Sequence, residues 1–467
     1  MRLSPPGRRA ERRGLRLWHV WIVLPLTFAA ALAIAGGVFL AGWDLLNVRG
    51  LKPEHRIDST TLFDLVKLSF GVVAGAGALV ALVVAYRRQR VDEDGALRDA
   101  TRLHTERFTT AVSQLGEESA AVRLGGVHAL AGLADDAPTR ELRQTCIDVL
   151  CAYLRLPYTA ESAVPADDTD ARHAYMALRE VRHTIIRLIT DHLRLLPRDP
   201  RSWRGYNFDF TGVVFDGGDF TSVEFSYGGT VRFSGAQFSS GTVLFNGVAF
   251  SGGWVYFNGA EFSGGTVDFR WAEFSGGTVD FGRAEFTGGT ADFSQTRFSG
   301  GTVNFRSAEF TGGTADFSQT RFSGGTVNFR SAEFTGGTVN FSQTRFSSGM
   351  VDFRWAEFSG GTVNFRSAEF SGATADFSNA KFTGGTANFS NAEFTGGTVD
   401  LSWAEFSGGT ANFSEASFFS DTVDFSEAQF SGGTVDFDWA TGVPPAGLVP
   451  PSAASLPAGL RLSAAWS

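Results

Sequence analysis

The stretch AEFSGGTVDFRW, residues 260–271, recurs with small changes from Phe210 to Phe437, each copy starting where the last one ends. A short fixed period, here a twelve-residue one, is the signature of a solenoid. Two phenylalanine series run through it. One climbs in steps of 12 from Phe233 to Phe437, 18 positions with Leu401 as the exception; the other runs from Phe238 to Phe430, 17 positions, all Phe. Gaps between successive Phe therefore alternate between five and seven. A small residue stands two positions before most of them, as Ala260 before Phe262, Val267 before Phe269, Ala272 before Phe274 and Ala291 before Phe293. In extended chain, positions i and i−2 share a face. Each ring and its small partner are thus expected inside, with the intervening Asp268, Glu273 or Asp292 facing water.

The segments ADFSQ (291–295), VDFRW (267–271) and ANFSE (411–415) resemble the pentapeptide-repeat family, whose unit A-[DN]-L-x-x places a small residue two before a central apolar one. Phe210, Phe215, Phe220 and Phe225 keep the strict five-residue spacing, and the resemblance covers about half the chain. It implies a mainly β fold, a right-handed quadrilateral β-helix with four short faces per coil. The departure is a Gly-Thr pair such as Gly265-Thr266, added to every second pentapeptide to give 5 plus 7. Two such units would close a 24-residue coil, and residues 291–314 recur unchanged as 315–338. Tandem duplication produces the same identity, so a 20-residue coil stays open. With neighbouring strands ~4.8 Å apart, Phe233 to Phe437 would make roughly eight or nine coils, about 40 Å of rod.

The β-helix, residues 206–440, is preceded by segments of other character. Residues 1–17 carry Arg2, Arg8, Arg9, Arg12, Arg13 and Arg16 against Glu11 alone. Trp18 to Trp43 is almost wholly apolar, and a second apolar run, Leu68 to Tyr86, stops at Arg87, Arg88 and Arg90. About 20 apolar residues cross a bilayer, so 18–86 is expected to be a two-helix transmembrane hairpin. A cleaved signal peptide has a shorter apolar core than the first run. Basic flanks stay in the cytoplasm, which puts both termini there and the chain in the inner (plasma) membrane. Small residues at every fourth position, Ala29, Ala33, Gly37 and Ala41, and Gly71 with Gly75, let helices approach closely. They suit packing of the hairpin and leave room for homo-oligomers.

Residues 92–198 read as a small all-α domain of four amphipathic helices, broken at Asp135-Asp136-Ala137-Pro138. The segment VRLGGVHALAGL (122–133) looks like one helix of a HEAT or armadillo repeat, the alternative being a helical bundle that covers the first coil. The tail, 441–467, holds five prolines from Pro444 to Pro457 and is expected to end the repeat, as a cap through Leu456, Leu460, Leu462 and Trp466 or as a free tail.

No reaction is legible. The Gly-Gly pairs lack the strand-loop-helix context of a phosphate cradle. The seven His avoid the repeats, and Cys146 and Cys151, five apart on a helix, face away from one another. Carboxylates such as Asp268, Glu273 and Asp280 belong to a regular ladder with no local irregularity of the kind that marks the sites of β-helical lyases. Catalytic, cofactor and metal residues are therefore expected to be none, with no cofactor. A net charge of −9 and the lack of a long Lys/Arg run outside the N-terminal 16 residues disfavour direct nucleic-acid binding, and from 201 to 440 there are 26 acidic against 13 basic residues, which makes the rod acidic. The expected function is a non-enzymatic, membrane-anchored interaction scaffold for an unidentified cytosolic protein, with the lipid bilayer as its other partner. The alternative, implied by the family resemblance, is a DNA-mimicking inhibitor or protector of a DNA-processing enzyme such as a type II topoisomerase.

The topology has a direct test: a reporter active only in the periplasm, fused after Ser467, should be silent, and one inserted near Pro53 should be active. A signal from the C-terminal fusion would overturn the cytoplasmic assignment.

Overall fold

The computed structural model describes residues 58–159, 164–165, 167–225, 228–419, 423–448 and 456–466, with isolated helical positions between 25 and 44. It divides into two units, residues 1–103 and 104–467. The first expected span, 18–43, lies mostly outside the described residues. The second falls in helix α1, Ser59–Leu115. Among the described residues α1 is the one helix long and apolar enough to cross a membrane, with an unburied window of mean hydropathy 2.3. Leu68, Phe70, Val73 and Leu82 stand more than 60% exposed along it. The apolar run ends at Arg87, but the helix that carries it does not. Residues 87–98 hold no proline to break the hydrogen-bond ladder, and α1 runs on to Leu115.

In the second unit the end of α1 packs with α2 (Ala120–Asp135), α3 (Arg140–Leu154) and α4 (Thr169–Arg194). Thr139 caps α3 by accepting from the Leu142 N–H, and Asp168 caps α4 by accepting from Ala171. The Gly125-Gly126 pair has a packing reason: a Cβ on Gly126 would lie 2.8 Å from the Ala111 carbonyl oxygen of α1. Cys146 and Cys151 are free and buried, and burial pushes their thiols up to about 11 and about 12.

The rest is a parallel β-solenoid of about 10 turns. One turn contributes Thr266–Asp268 to a first ladder, Glu273–Phe274 to a second, Thr278–Asp280 to a third and Glu285–Phe286 to a fourth. Each pairs with its counterpart on the next turn: Thr266 with Thr290, Glu273 with Arg297, Thr278 with Thr302, Glu285 with Glu309. The coil is therefore the 24-residue one. The second and third ladders merge where strands such as Arg321–Asn328 run through both, so among the described residues four ladders form three sheets.

The two Phe series become four columns. Phe269, Phe293 and Phe317 stack at 4.6 and 4.7 Å with rings within 3° of parallel. The neighbouring column meets them edge-on, Phe281 to Phe293 at 5.6 Å and 85°. Offset and edge-to-face pairs each add ~0.5–1.5 kcal/mol beyond area burial. Val267, Phe269, Ala291 and Phe293 are all buried, as the i and i−2 pattern requires.

The corners follow from two residue types. Asp292 accepts from the Ser294 N–H at 2.9 Å, an Asx turn, and Gln295 after it takes φ 59°. At the other corner Gly313 has φ 65°, and a Cβ there would lie 2.5 Å from the Gly289 carbonyl oxygen of the turn below. The glycine of the extra Gly-Thr pair thus answers to the close approach of stacked backbones, and Ala373, at the equivalent position between Gly349 and Gly397, is accommodated without a positive φ.

One outward expectation fails. Asp268 is 3% exposed, because Arg270 folds over it with bonds of 2.6 and 3.0 Å and reaches Asp292 of the next turn at 3.6 Å. Asp352 and Arg354 repeat the arrangement. The tail also departs from expectation by continuing the ladders: Thr441-Gly442 pairs with Ser417-Phe418, and Leu460-Arg461 with Val435-Asp436. The Trp466 ring closes the last turn 5.6 Å from Phe418 and Phe437, its Nε1 donating to the Gly442 carbonyl.

Phe317→Ala should cost ~3–5 kcal/mol through the cavity it leaves, whereas Ser318→Ala, one position outward, should stay within ~0.5 kcal/mol. Denaturant unfolding of the full-length protein in detergent reads both. Equal effects would refute the stacked core.

Candidate interaction surfaces

The sequence has a twelve-residue repeat, but neighbours on a ladder lie two repeats apart, so outward residues sort into two different stripes. On the fourth ladder the outward rungs are Glu261, Glu285, Glu309, Glu333 and Glu357, then Lys381 and Glu405. Like charges ~5 Å apart in water repel by about 1 kcal/mol. The stripe is therefore held by the stacked core beneath it and stays available to an opposite charge.

The second ladder, half a turn away, reads differently: Glu273, Arg297, Arg321, Arg345, Glu369, Glu393, Ser417. Its three arginines come from the segment SQTRF, which stands at 294–298, 318–322 and 342–346 in place of the usual Ala-Glu version. This is a local irregularity in the repeat, contrary to the expectation of none. Thr296, Thr320 and Thr344 occupy the inward small position, and each fully buried hydroxyl donates to a carbonyl of the turn below. The hydroxyl is satisfied, so the substitution is tolerated in the core while the Arg changes the surface.

Large aromatics sit at the Asx corners. Trp271, Trp355, Trp403 and Trp439 hold φ between 57° and 61°, and all are more than half exposed. Positive φ costs a bulky L-residue ~1–2 kcal/mol. Asn379 and Asn391, at equivalent corners, adopt the same conformation with a residue that favours it. Arg283, Gln295, Ser307 and Glu415 hold the same positive φ, so the strain belongs to the corner itself, and what sets the four tryptophans apart is a large apolar ring left in solvent.

A second cluster joins the helices to the first turns. The Asp216 carboxylate, 4% exposed, accepts from Tyr158 at 2.5 Å, Tyr175 at 2.7 Å, His183 at 3.0 Å and Arg179 at 3.2 Å. Arg182 lies 4.0 Å over the Tyr158 ring and donates to the Leu154 and Val214 carbonyls. Burial alone pushes the Asp216 carboxyl up, but the bonds from His183, Tyr158 and Tyr175 outweigh it and hold the group well below the usual carboxylate range. Burial and the bond to Asp216 push the Tyr158 phenol upward. Four donors occupy most of the carboxylate's lone-pair positions. The cluster works as a latch between α4 and the solenoid. His192 is similarly committed, bonded to Asp135 at 3.1 Å and stacked on Trp203 at 4.1 Å. No site residue stands out in the sequence, where these two histidines and Asp216 carry no periodic signal that singles them out. Among the described residues no group of three or more His, Cys, Asp or Glu is placed to hold a metal ion.

Because its folded pKa is depressed, Asp216 stabilises the fold above about pH 4, the ordinary carboxylate value, and the contribution is lost as pH falls below it. Asp216→Asn should cost ~1–3 kcal/mol near neutrality and flatten the acid limb. Denaturant unfolding of both full-length proteins between pH ~3 and ~7 reads this. Parallel acid limbs would refute the latch.

Comparison of the chain with protein-family models, curated proteins and solved structures finds no match.

Proposed function

We propose that the chain is a membrane-anchored pentapeptide-repeat protein whose right-handed quadrilateral β-helix is a non-enzymatic scaffold for a cytosolic protein. The anchor in this reading is the two-span hairpin of residues 18–86, with both termini in the cytoplasm. Support for the anchor is the unburied apolar stretch of α1; support for the family is the 24-residue parallel coil with its Phe columns.

The observation that carries the scaffold reading is the pair Trp355 and Trp403, 52% and 58% exposed at positive φ. Each stands two residues before an outward rung of the fourth ladder, Glu357 and Glu405. Tryptophans anchor interfaces because they bury much area with little loss of side-chain freedom. Beside them the glutamate stripe selects a cationic surface and repels an acidic one. The partner is accordingly a protein with a basic patch flanking an indole pocket.

The DNA-mimic reading draws on the same five consecutive glutamates. Against it stand Lys381 within the stripe and the arginine stripe half a turn away.

A photo-cross-linking residue at position 355 or 403 of the full-length protein, in native membranes, should capture one discrete protein. Glu357→Arg should reduce that capture by about tenfold. No capture at 355 and 403, or equal capture at Thr362, would overturn the scaffold reading. Inhibition of purified type II topoisomerase by the intact protein would move the assignment to the alternative.

A further inference from the structure

The arginine stripe carries a pattern that the glutamate stripe lacks. From Arg297 to Glu393 its charges change sign once, between Arg345 and Glu369, which pair on adjacent turns and bond at 3.0 Å. Before that point come Arg297 and Arg321, exposed, with no ion pair among the described residues; after it comes Glu393, also exposed. Two residues before each rung lies an adjacent column of corner residues. It reads Trp271, Gln295, Gln319, Gln343, then Ser367, Asn391, Glu415, Trp439, all at positive φ. The amides of Gln295, Gln319 and Gln343 are chained by bonds of 2.9 and 3.2 Å, which fixes them in place. Between the two columns runs a polar groove, and Arg321, Arg345 and Glu369 line it across the sign change.

Both columns have the same centre. A two-fold axis through the midpoint of Arg345 and Glu369, perpendicular to the stack, sets Glu369 of a second copy opposite Arg345 and its Glu393 opposite Arg321. The same operation sets Glu415 of the second copy beside Arg297 and Gln295, and Glu273 falls against the neutral Thr441. At the two ends it brings Trp271 of one copy to Trp439 of the other, both strongly exposed at 57% and 80%. Both copies have the same rung spacing, ~4.8 Å, so the pairs fall into register over about 34 Å without adjustment.

We propose that this face pairs with the same face of a second copy of the chain, antiparallel and two-fold symmetric about the Arg345–Glu369 step. Isologous pairing requires self-complementarity, and the sign change at the centre supplies it. Parallel pairing in register sets Arg on Arg and Glu on Glu. A polyanion satisfies only the arginine half of the groove, and a polycation only the other half. The inference is independent of the scaffold reading, which uses the fourth ladder, half a turn away.

The full-length protein in detergent should be a dimer by light scattering at low salt, dissociating as salt rises. Arg321→Glu and Glu393→Arg should each raise the dimer dissociation constant by about tenfold or more, and the double variant should return to within about threefold. Both positions are exposed, and circular dichroism checks the fold. Arg321→Cys mixed with Glu393→Cys should cross-link between chains, while Arg321→Cys alone should not; native Cys146 and Cys151 are buried and stay silent. A monomer at tens of micromolar would overturn the proposal. So would a dimer indifferent to both swaps, which another surface such as the apolar helix would be holding, or a cross-link of Arg321→Cys to itself. A monomer whose Arg321→Cys thiol is protected by added poly-glutamate would give the face to a foreign polyanion and overturn it equally.

Discussion

Parallel stacking of phenylalanine rings is the contact on which the solenoid depends. A flat ring repeated at the strand spacing meets its neighbour face to face, and the adjacent column fills the remaining space edge-on. The two orientations leave little freedom in radius or twist. Leu401 interrupts one column between Phe377 and Phe425, yet it is 1% exposed and the ladders continue past it. The core therefore tolerates one aliphatic residue where the other columns remain intact. Everything else at the corners answers to the same spacing: glycine where two backbones touch, an Asx turn where the chain must bend between rings.

A core that needs only Phe and a small residue leaves the outward positions free. Their charges can vary without disturbing the stack, because exposed substitutions cost little in stability. Two stripes half a turn apart accordingly carry different messages, five glutamates on one and a block of arginines followed by glutamates on the other. The threonines of the SQTRF block show where core and surface meet. Each replaces an inward alanine, and each hydroxyl finds a carbonyl one turn below.

A solenoid ends in open ladders, and both ends here are closed by different means. At the first turn, α4 lays Ile185, Ile186 and Ile189 into the same core as Phe210 and Phe220, and the Asp216 cluster ties it down. At the last turn a proline-bearing tail adds short strands and a tryptophan lid. Proline is tolerated because the strands there are two residues long and the prolines lie outside them.

By itself the amino-acid sequence determined the solenoid, the inward face of the two Phe series with their small partners, and the helical segments before them, since each rests on a period that local geometry imposes; Phe419, outside both series, is exposed. It left the length of the coil open, and with it the surface, because a twelve-residue repeat does not say which copies become neighbours. The tertiary structure decided that by pairing each unit with the second one after it, which separates Glu309 from Arg321 and joins Arg321 to Arg345. It also buried Asp268 under Arg270 and gathered Tyr158, Tyr175, His183 and Asp216 from distant segments into one cluster. Neither outcome follows from spacing along the chain, since each depends on which side chains the closed coil brings within bonding distance.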